Sequence, residues 1–169
     1  MKSINNTLAK LEFAQIGWVV PDIHAAVKFL ANTFGISGFP EPEHVRAQDL
    51  GMTYYGKVVP SESLTTQAYN GSAFIELIQP VSGQSIFHDY LVKYPLGGTQ
   101  HLAFRLPVSD FTRITEDLRE QGYPTISEVD HPIARMAFFD TYKTLGVATE
   151  IMGITPEGWV AIKQMEKTK

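Results

Sequence analysis

The chain very nearly repeats itself, and this limits its fold more than any single residue does. Phe13–Val20 (FAQIGWVV) alternates like a strand. Pro21-Asp22 then opens a segment with Ile23, Val27, Leu30 and Phe34 at helical spacing, closed by Gly35. Gln100–Leu106 (QHLAFRL) is a second such strand, and Pro107, Asp110, the helical set Phe111, Ile114 and Leu118, and Gly122 follow in the same order. Each aspartate is expected to cap its helix by accepting from first-turn N–H groups, and each glycine to end it. Three further strand-like stretches follow each helix. In the first half they are Glu43–Leu50, Ser61–Tyr69 and Ala73–Gln79, with Asn70-Gly71 as the hairpin turn between the last two. In the second they are Thr125–Val129, Ile133–Asp140 and Val147–Met152, with Leu145-Gly146 in the last turn.

The pattern predicts an α+β fold in which paired βαβββ modules form a curved, cleft-enclosing mixed β-sheet with helices on the outer face. The expected modules are residues 12–80 and 99–153, within a single domain spanning 1–169. A linker over 81–98 carries a short helix near Ser85–Tyr94, and a helical tail over 154–169 has Trp159, Ile162 and Met165 as its apolar stripe. A chain of 169 residues is long enough to bury a sizeable core without staples. The absence of cysteine excludes thiol nucleophiles, redox pairs and thiolate zinc sites. The net charge of −4 comes with no cluster of Lys and Arg beyond a tail of Lys163, Lys167 and Lys169, which argues against a nucleic-acid partner. No apolar run approaches the roughly 18 residues of a membrane span, and Met1–Lys10 is polar, so the expectation is a cytoplasmic protein with no membrane partner.

Equivalent positions of a repeat come together around its pseudo-twofold axis. Gln15 (QIGW) matches His101 (HLAF), and Glu76 (FIELI) matches Glu150 (ATEIM). Side chains alternate across a strand, so the apolar neighbours Ile16, Leu102, Ile75, Leu77 and Ile151 belong to the helix-covered face. Gln15, Glu76, His101 and Glu150 then line the concave one. Taken singly, each is ordinary: a surface glutamine, a solvated strand glutamate, a hydrogen-bonded core histidine. A carboxylate within an apolar strand is costly unless it is paired or bound to a cation, and two of them with an imidazole and an amide oxygen form a divalent-metal set. Three oxygens and one nitrogen suit a six-coordinate zinc, manganese, cobalt, nickel or iron ion with two positions open. His24, His44 and His88 read as surface or helix-face residues. No dinucleotide fingerprint, P-loop, GxSxG elbow or HExxH motif is present.

Four segments carry a family resemblance: FAQIGWVVPDIHAAVKFL, FIELIQP, GGTQHLAFRLPVSDF and MAFFDTYKTLGVATEIMG. Over about Phe13 to Gly153 the chain resembles the vicinal oxygen chelate superfamily of glyoxalase I, methylmalonyl-CoA epimerase, extradiol dioxygenases, fosfomycin-resistance transferases and bleomycin-binding proteins. The resemblance places Gln15, Glu76, His101 and Glu150 on the four metal-ligand positions of the glyoxalase and epimerase branches. The Gln/Glu/His/Glu order is similar to zinc glyoxalase I, whereas epimerases have His first and Gln second. The Asp-Pro-(Asp/Asn)-Gly turn common before the last strand is replaced by Asp140–Gly146, and the linker helix and helical tail look closer to the epimerases.

The resemblance implies a metal-dependent lyase or isomerase acting on a small molecule that offers a carbonyl or adjacent oxygens. An α-proton would leave through a metal-stabilised enolate, with Glu150 as first choice of base and Glu76 returning the proton from the other half. Arg105, which shares the parity of His101, is a candidate anchor for a substrate carboxylate or phosphate; Phe74 and His131 are candidate pocket residues. The alternatives are a non-haem iron extradiol-type dioxygenase and a non-catalytic binder of drug-like or aromatic molecules. Relatives imply a homodimer, with the site inside one chain or shared between two.

Overall fold

The computed structural model describes residues 11–167; the polar segment Met1–Lys10, the side chain of Lys167 and the terminal pair Thr168 and Lys169 lie outside the described residues. One eight-stranded mixed sheet runs through the molecule in the order β2-β5-β6-β1-β7-β10-β9-β8. The first half supplies β1 (Glu12–Val19), β2 (Glu43–Arg46), β5 (Ser61–Asn70) and β6 (Ala73–Gly83). The second supplies β7 (Gly98–Pro107), β8 (Thr125–His131), β9 (Ala134–Phe139) and β10 (Ala148–Ile154). A two-stranded ribbon, β3 (Thr53–Tyr54) and β4 (Lys57–Val58), is inserted in the first half. In each half the outer three strands form an antiparallel ladder, broken only by the parallel seam that joins the last strand to the first. The halves meet where β1 runs antiparallel to β7, so the curled sheet is a half-barrel of two similar pieces.

Helix α1 (Ile23–Phe34) and α3 (Val108–Glu120) cover the convex face. Ile23 and Leu30 pack on Ile75 and Leu77, while Phe111 and Ile114 pack on Leu106 and Ile151. The expected cap of α1 is present, with the Asp22 carboxylate accepting from Ala25 N at 2.9 Å and Gly35 in the left-handed conformation at φ 68°. The linker helix α2 (Ile86–Lys93) takes the other side of the sheet. Its Ile86 and Phe87 join Val19, Ile78, Phe138 and Ala148, which share the concave face with the candidate site. Helix α5 (Pro156–Lys167) is the tail, and no described helix is long and apolar enough to cross a membrane.

Several local expectations are corrected. The stretch read as a strand over Glu43–Leu50 breaks at Arg46 into a 3-10 turn, Ala47–Leu50, closed by left-handed Gly51. Helix α3 begins at Val108, before Asp110, so Asp110 is not its cap but sits in the first turn and accepts from Arg113 at 2.9 Å. The hairpin turn is Gly71-Ser72, one residue later than Asn70-Gly71, since Asn70 still pairs with Ala73. The strand read as Thr125–Val129 runs on to His131. Phe34 is exposed and stacks edge-on against Phe29. Asp140–Gly146 forms a single helical turn, α4 (Tyr142–Leu145), with Gly146 left-handed.

Candidate functional site

The site sits where β1 crosses β7. Gly17 pairs with His101 and Gln15 with Ala103, so a small residue lies opposite each of the two polar ones. The parallel neighbours complete the pattern: Glu76 is level with Gly17, and Glu150 with Ala103. Both strands carry a register shift beside the crossing. Ala14 is the extra residue on β1 and Gln100 the extra one on β7, each directly before the polar side chain that matters. A Cβ built on Gly17 would fall inside the imidazole ring of His101, so that ring can lie flat across the sheet only over glycine.

Four side chains from four strands meet at this point. The Gln15 amide nitrogen is 3.1 Å from Glu76 Oε2, 3.2 Å from Glu150 Oε2 and 3.4 Å from His101 Nε2. His101 Nε2 is also 3.4 Å from each of the two carboxylate oxygens. His101 is fully buried and Glu150 is 2% exposed, whereas the Glu76 side chain is 15% exposed, so access is from the Glu76 side. With the side chains so placed, the described residues contain no group of three or more His, Cys, Asp or Glu arranged to hold a metal ion. The point on which Glu76, His101 and Glu150 converge is filled by the Gln15 amide nitrogen.

The electrostatics of the cluster are one-sided. Two carboxylates and an imidazole acceptor share one carboxamide donor. Burial pushes the Glu150 carboxyl up to about 7; the imidazole opposes that shift and Glu76 adds to it. For His101, burial alone would lower the pKa, but the hydrogen bond to Glu76 and the charges of Glu150 and Glu76 raise it. Both shifts favour keeping a proton, on Glu150 as a neutral carboxyl because burial disfavours its charge and on His101 because the two carboxylates favour the imidazolium.

Of the remaining candidates, Phe74 pairs with Gln15 across β6–β1 and packs on Tyr69 with ring centroids 4.4 Å apart, beside the cluster. Both rings line a surface cavity of about 810 Å³ that reaches Gln67. Arg105 shares the concave face but is held by Glu12 at 2.6 Å and Glu166 at 3.3 Å and lies over the Trp159 ring, so its charge is engaged in docking α5. His131 is exposed at the β8–β9 hairpin, four residues along β8 from Ser127, the residue that pairs with Phe138 beside Glu150. The structure does not bring it to the cluster.

Three partners of the site were not picked out from sequence. Gln67 Nε2 donates to Glu76 Oε1 at 2.7 Å. Gln100 Oε1 is 2.7 Å from His101 Nδ1, and Gln100 Nε2 donates to the Tyr142 hydroxyl at 2.7 Å. Gln67 stands directly across β5–β6 from Glu76, a register that depends on the turn lying at Gly71-Ser72; a turn at Asn70-Gly71 sets Thr65 there instead. Gln100 was not findable, since strict alternation sends it to the opposite face from His101.

Comparison with known proteins agrees with this architecture. The sequence profile of the Glyoxalase/Bleomycin resistance protein/Dioxygenase superfamily matches residues 14–138. Among solved structures, methylmalonyl-CoA epimerase from Mycobacterium tuberculosis superposes with a TM-score of 0.60 at 20% identity, covering 88% of this chain and 91% of that one. A methylmalonyl-CoA epimerase in complex with methylmalonyl-CoA and NH4+ gives 0.57 at 21% identity, over 85% and 94% of the two chains. The Streptomyces coelicolor epimerase (S115T) in complex with 2-nitronate-propionyl-CoA gives 0.57 at 22%, over 85% and 95%. At these identities the likeness is one of fold. No protein of curated function matches the chain in sequence.

Proposed function

The chain belongs to the Glyoxalase/Bleomycin resistance protein/Dioxygenase superfamily, and from that premise we propose that it is a divalent-metal-dependent lyase or isomerase that removes an α-proton from a carbonyl substrate. One observation carries the reading. Three polar atoms contributed by both halves, Glu76 Oε2, His101 Nε2 and Glu150 Oε2, converge within 3.4 Å on a single point, now held by the neutral Gln15 amide nitrogen. That convergence is what a cation requires, and the two carboxylates would neutralise its charge. The donor set fits: His101 presents Nε2 while Nδ1 is engaged by Gln100, as a ligating imidazole does. Gln15 would join by turning its carboxamide oxygen inward. Zinc is the first candidate. A two-histidine iron site is disfavoured, because only one imidazole is in the cluster.

The chemistry such an ion supplies is polarisation of a carbonyl and stabilisation of the charge left when the proton departs. The protein's own part is proton handling. Glu150, buried and reached only from inside the cleft, takes the proton. Glu76 comes from the opposite half and has its second oxygen steadied by Gln67, so it meets the substrate from the other side and returns the proton. Two carboxylates on opposite sides of one planar anion would interconvert configurations without a redox cofactor. The epimerase structures with 2-nitronate-propionyl-CoA support this direction, since a nitronate is a planar anion of enolate shape. The substrate is expected to be a small molecule with a carbonyl or adjacent oxygens.

The test is elemental analysis of the purified protein with its His101→Ala and Glu150→Gln variants. One divalent ion per wild-type chain, lost in His101→Ala, is expected. Deuterium exchange at a substrate α-carbon should vanish in Glu150→Gln while the substrate still binds. A wild-type protein that holds no stoichiometric ion after reconstitution would overturn the proposal.

A further inference from the structure

We infer that Gln100 and Tyr142 are positioning residues that lock His101 into one tautomer, with the proton on Nδ1 and the Nε2 lone pair aimed at the cluster. The inference deepens the metal reading and rests on it for its affinity measurement, but not for its structural one.

Two residues of β7, Gln100 and His101, stand against the single residue Gly17 of β1. A bulge of this kind turns the extra side chain out of strict alternation and brings it beside its neighbour's. Gln100 is fully buried, so its carboxamide has no water to fall back on and each end needs a protein partner. The carbonyl end meets His101 Nδ1 at 2.7 Å, and the amino end meets the Tyr142 hydroxyl at 2.7 Å. A carbonyl oxygen only accepts, so the proton must be on Nδ1. The amide stands with its oxygen toward Nδ1 and its amino group toward the phenol oxygen, which accepts; the opposite flip would need the phenol to donate and Nδ1 to accept, the arrangement that goes with a proton on Nε2. Tyr142 thus acts on His101 through Gln100, from the single-turn helix that replaces the usual turn before β10.

The ring itself is held on other sides without polar contacts. Phe138 meets it edge-on at 5.1 Å and Phe87 lies at 6.3 Å, both between centroids, while Gly17 supplies the floor. These contacts fix the plane of the imidazole but not which nitrogen carries hydrogen. Gln100 supplies that choice.

The experiment reads the His101 ring nitrogens by long-range proton–nitrogen NMR, in the metal-free protein at a pH high enough to leave the imidazole neutral and again with zinc added. The Nδ1–H tautomer is expected in both states. In Gln100→Leu the metal-free ring should show a mixture of tautomers, and zinc affinity should fall by about 10- to 100-fold. Tyr142→Phe should give a smaller loss in the same direction, and Gln100→Glu, which keeps an acceptor against Nδ1, should restore the single tautomer and most of the affinity. An Nε2–H tautomer in the wild-type protein overturns the inference, as does an unchanged Nδ1–H signal in folded Gln100→Leu. If Gln100→Leu does not fold, an unchanged tautomer together with unchanged affinity in Tyr142→Phe also overturns it. A protein that takes up no zinc at all defeats the metal reading alone, and the tautomer measurement then stands by itself.

Discussion

The two halves build the same crossing with different residues. In the first, Ala14 is the bulged residue, Gln15 the polar one, and the floor opposite is Ala103; in the second these places go to Gln100, His101 and Gly17. The substitutions are coupled. A flat imidazole needs a floor without a Cβ, whereas the slender glutamine chain tolerates alanine. An imidazole also needs its tautomer specified, and the bulge next to it carries a side chain that can do so. The first half remains partly open at Glu76, while the second is buried beneath Phe87 and Phe138. A symmetric scaffold thus yields one rigid donor pair and one that can adjust to an incoming group.

The largest effect should come from exchanging the floors. Gly17→Ala is expected to displace His101, abolish stoichiometric metal binding and cost about 1–3 kcal/mol through overpacking. Ala103→Gly should keep the metal and cost about 0.5–1 kcal/mol, the usual penalty of glycine in regular structure. Metal content and denaturant unfolding check both. Equal losses in the two variants would show that the halves are interchangeable.

The next effect separates the two glutamates. In metal-free protein Glu150 is a buried carboxyl opposed by a second acid, so Glu150→Gln should raise stability by about 1–2 kcal/mol at pH 8. Glu76→Gln, at the more open position, should change it by less than about 0.5 kcal/mol. With a saturating divalent ion the order should reverse, because wild type gains about 2.7 kcal/mol at a hundred times Kd and both variants lose much of that. Thermal unfolding with and without metal measures each sign.

Much of this arrangement was legible in the sequence. The repeat, the faces and the convergence of Gln15, Glu76, His101 and Glu150 all follow from period-two alternation and a twofold axis. What escaped has a common physical cause: local departures from period two. The bulge at Gln100 brings onto the His101 side a residue that alternation assigns to the other face. The break after Arg46 and the early start of α3 reflect backbone choices in which apolar spacing has no say. Arg105 has the parity expected of it, but the ion pairs that engage it come from Glu12 and from Glu166, 61 residues away on a tail whose docking no local pattern encodes.

Arg105 gives a smaller prediction that bears on the same asymmetry. Its pairs with Glu12 and Glu166 are partly solvated, so Arg105→Met should cost at most about 1 kcal/mol. The loss should show as faster proteolysis within α5, with metal affinity unchanged. A raised KM for an anionic substrate, without loosening of α5, would instead make Arg105 a substrate anchor.

The smallest effect concerns α2, which packs on strands of both halves but sets Phe87 against the imidazole of the second. His88 of α2 is half-buried, its Nδ1 is 2.8 Å from the Ser85 hydroxyl, and its buried Nε2 has no hydrogen-bond partner among the described residues. Burial lowers its pKa below the usual 6.5, with neighbouring Asp89 opposing in part. The unfolded chain therefore takes up a proton before the folded one does. The contribution of neutral His88 is fully present above about pH 6.5 and is lost as the pH falls toward the depressed folded value. Because Phe87 of the same helix lies against His101, acidification should loosen the cover over that imidazole first. Hydrogen exchange between pH 7 and pH 5 is expected to quicken in α2 while α1, on the convex face, keeps its protection. His88→Gln should flatten that difference, and equal quickening of α1 and α2 in the wild-type protein would show that the loosening does not start at His88.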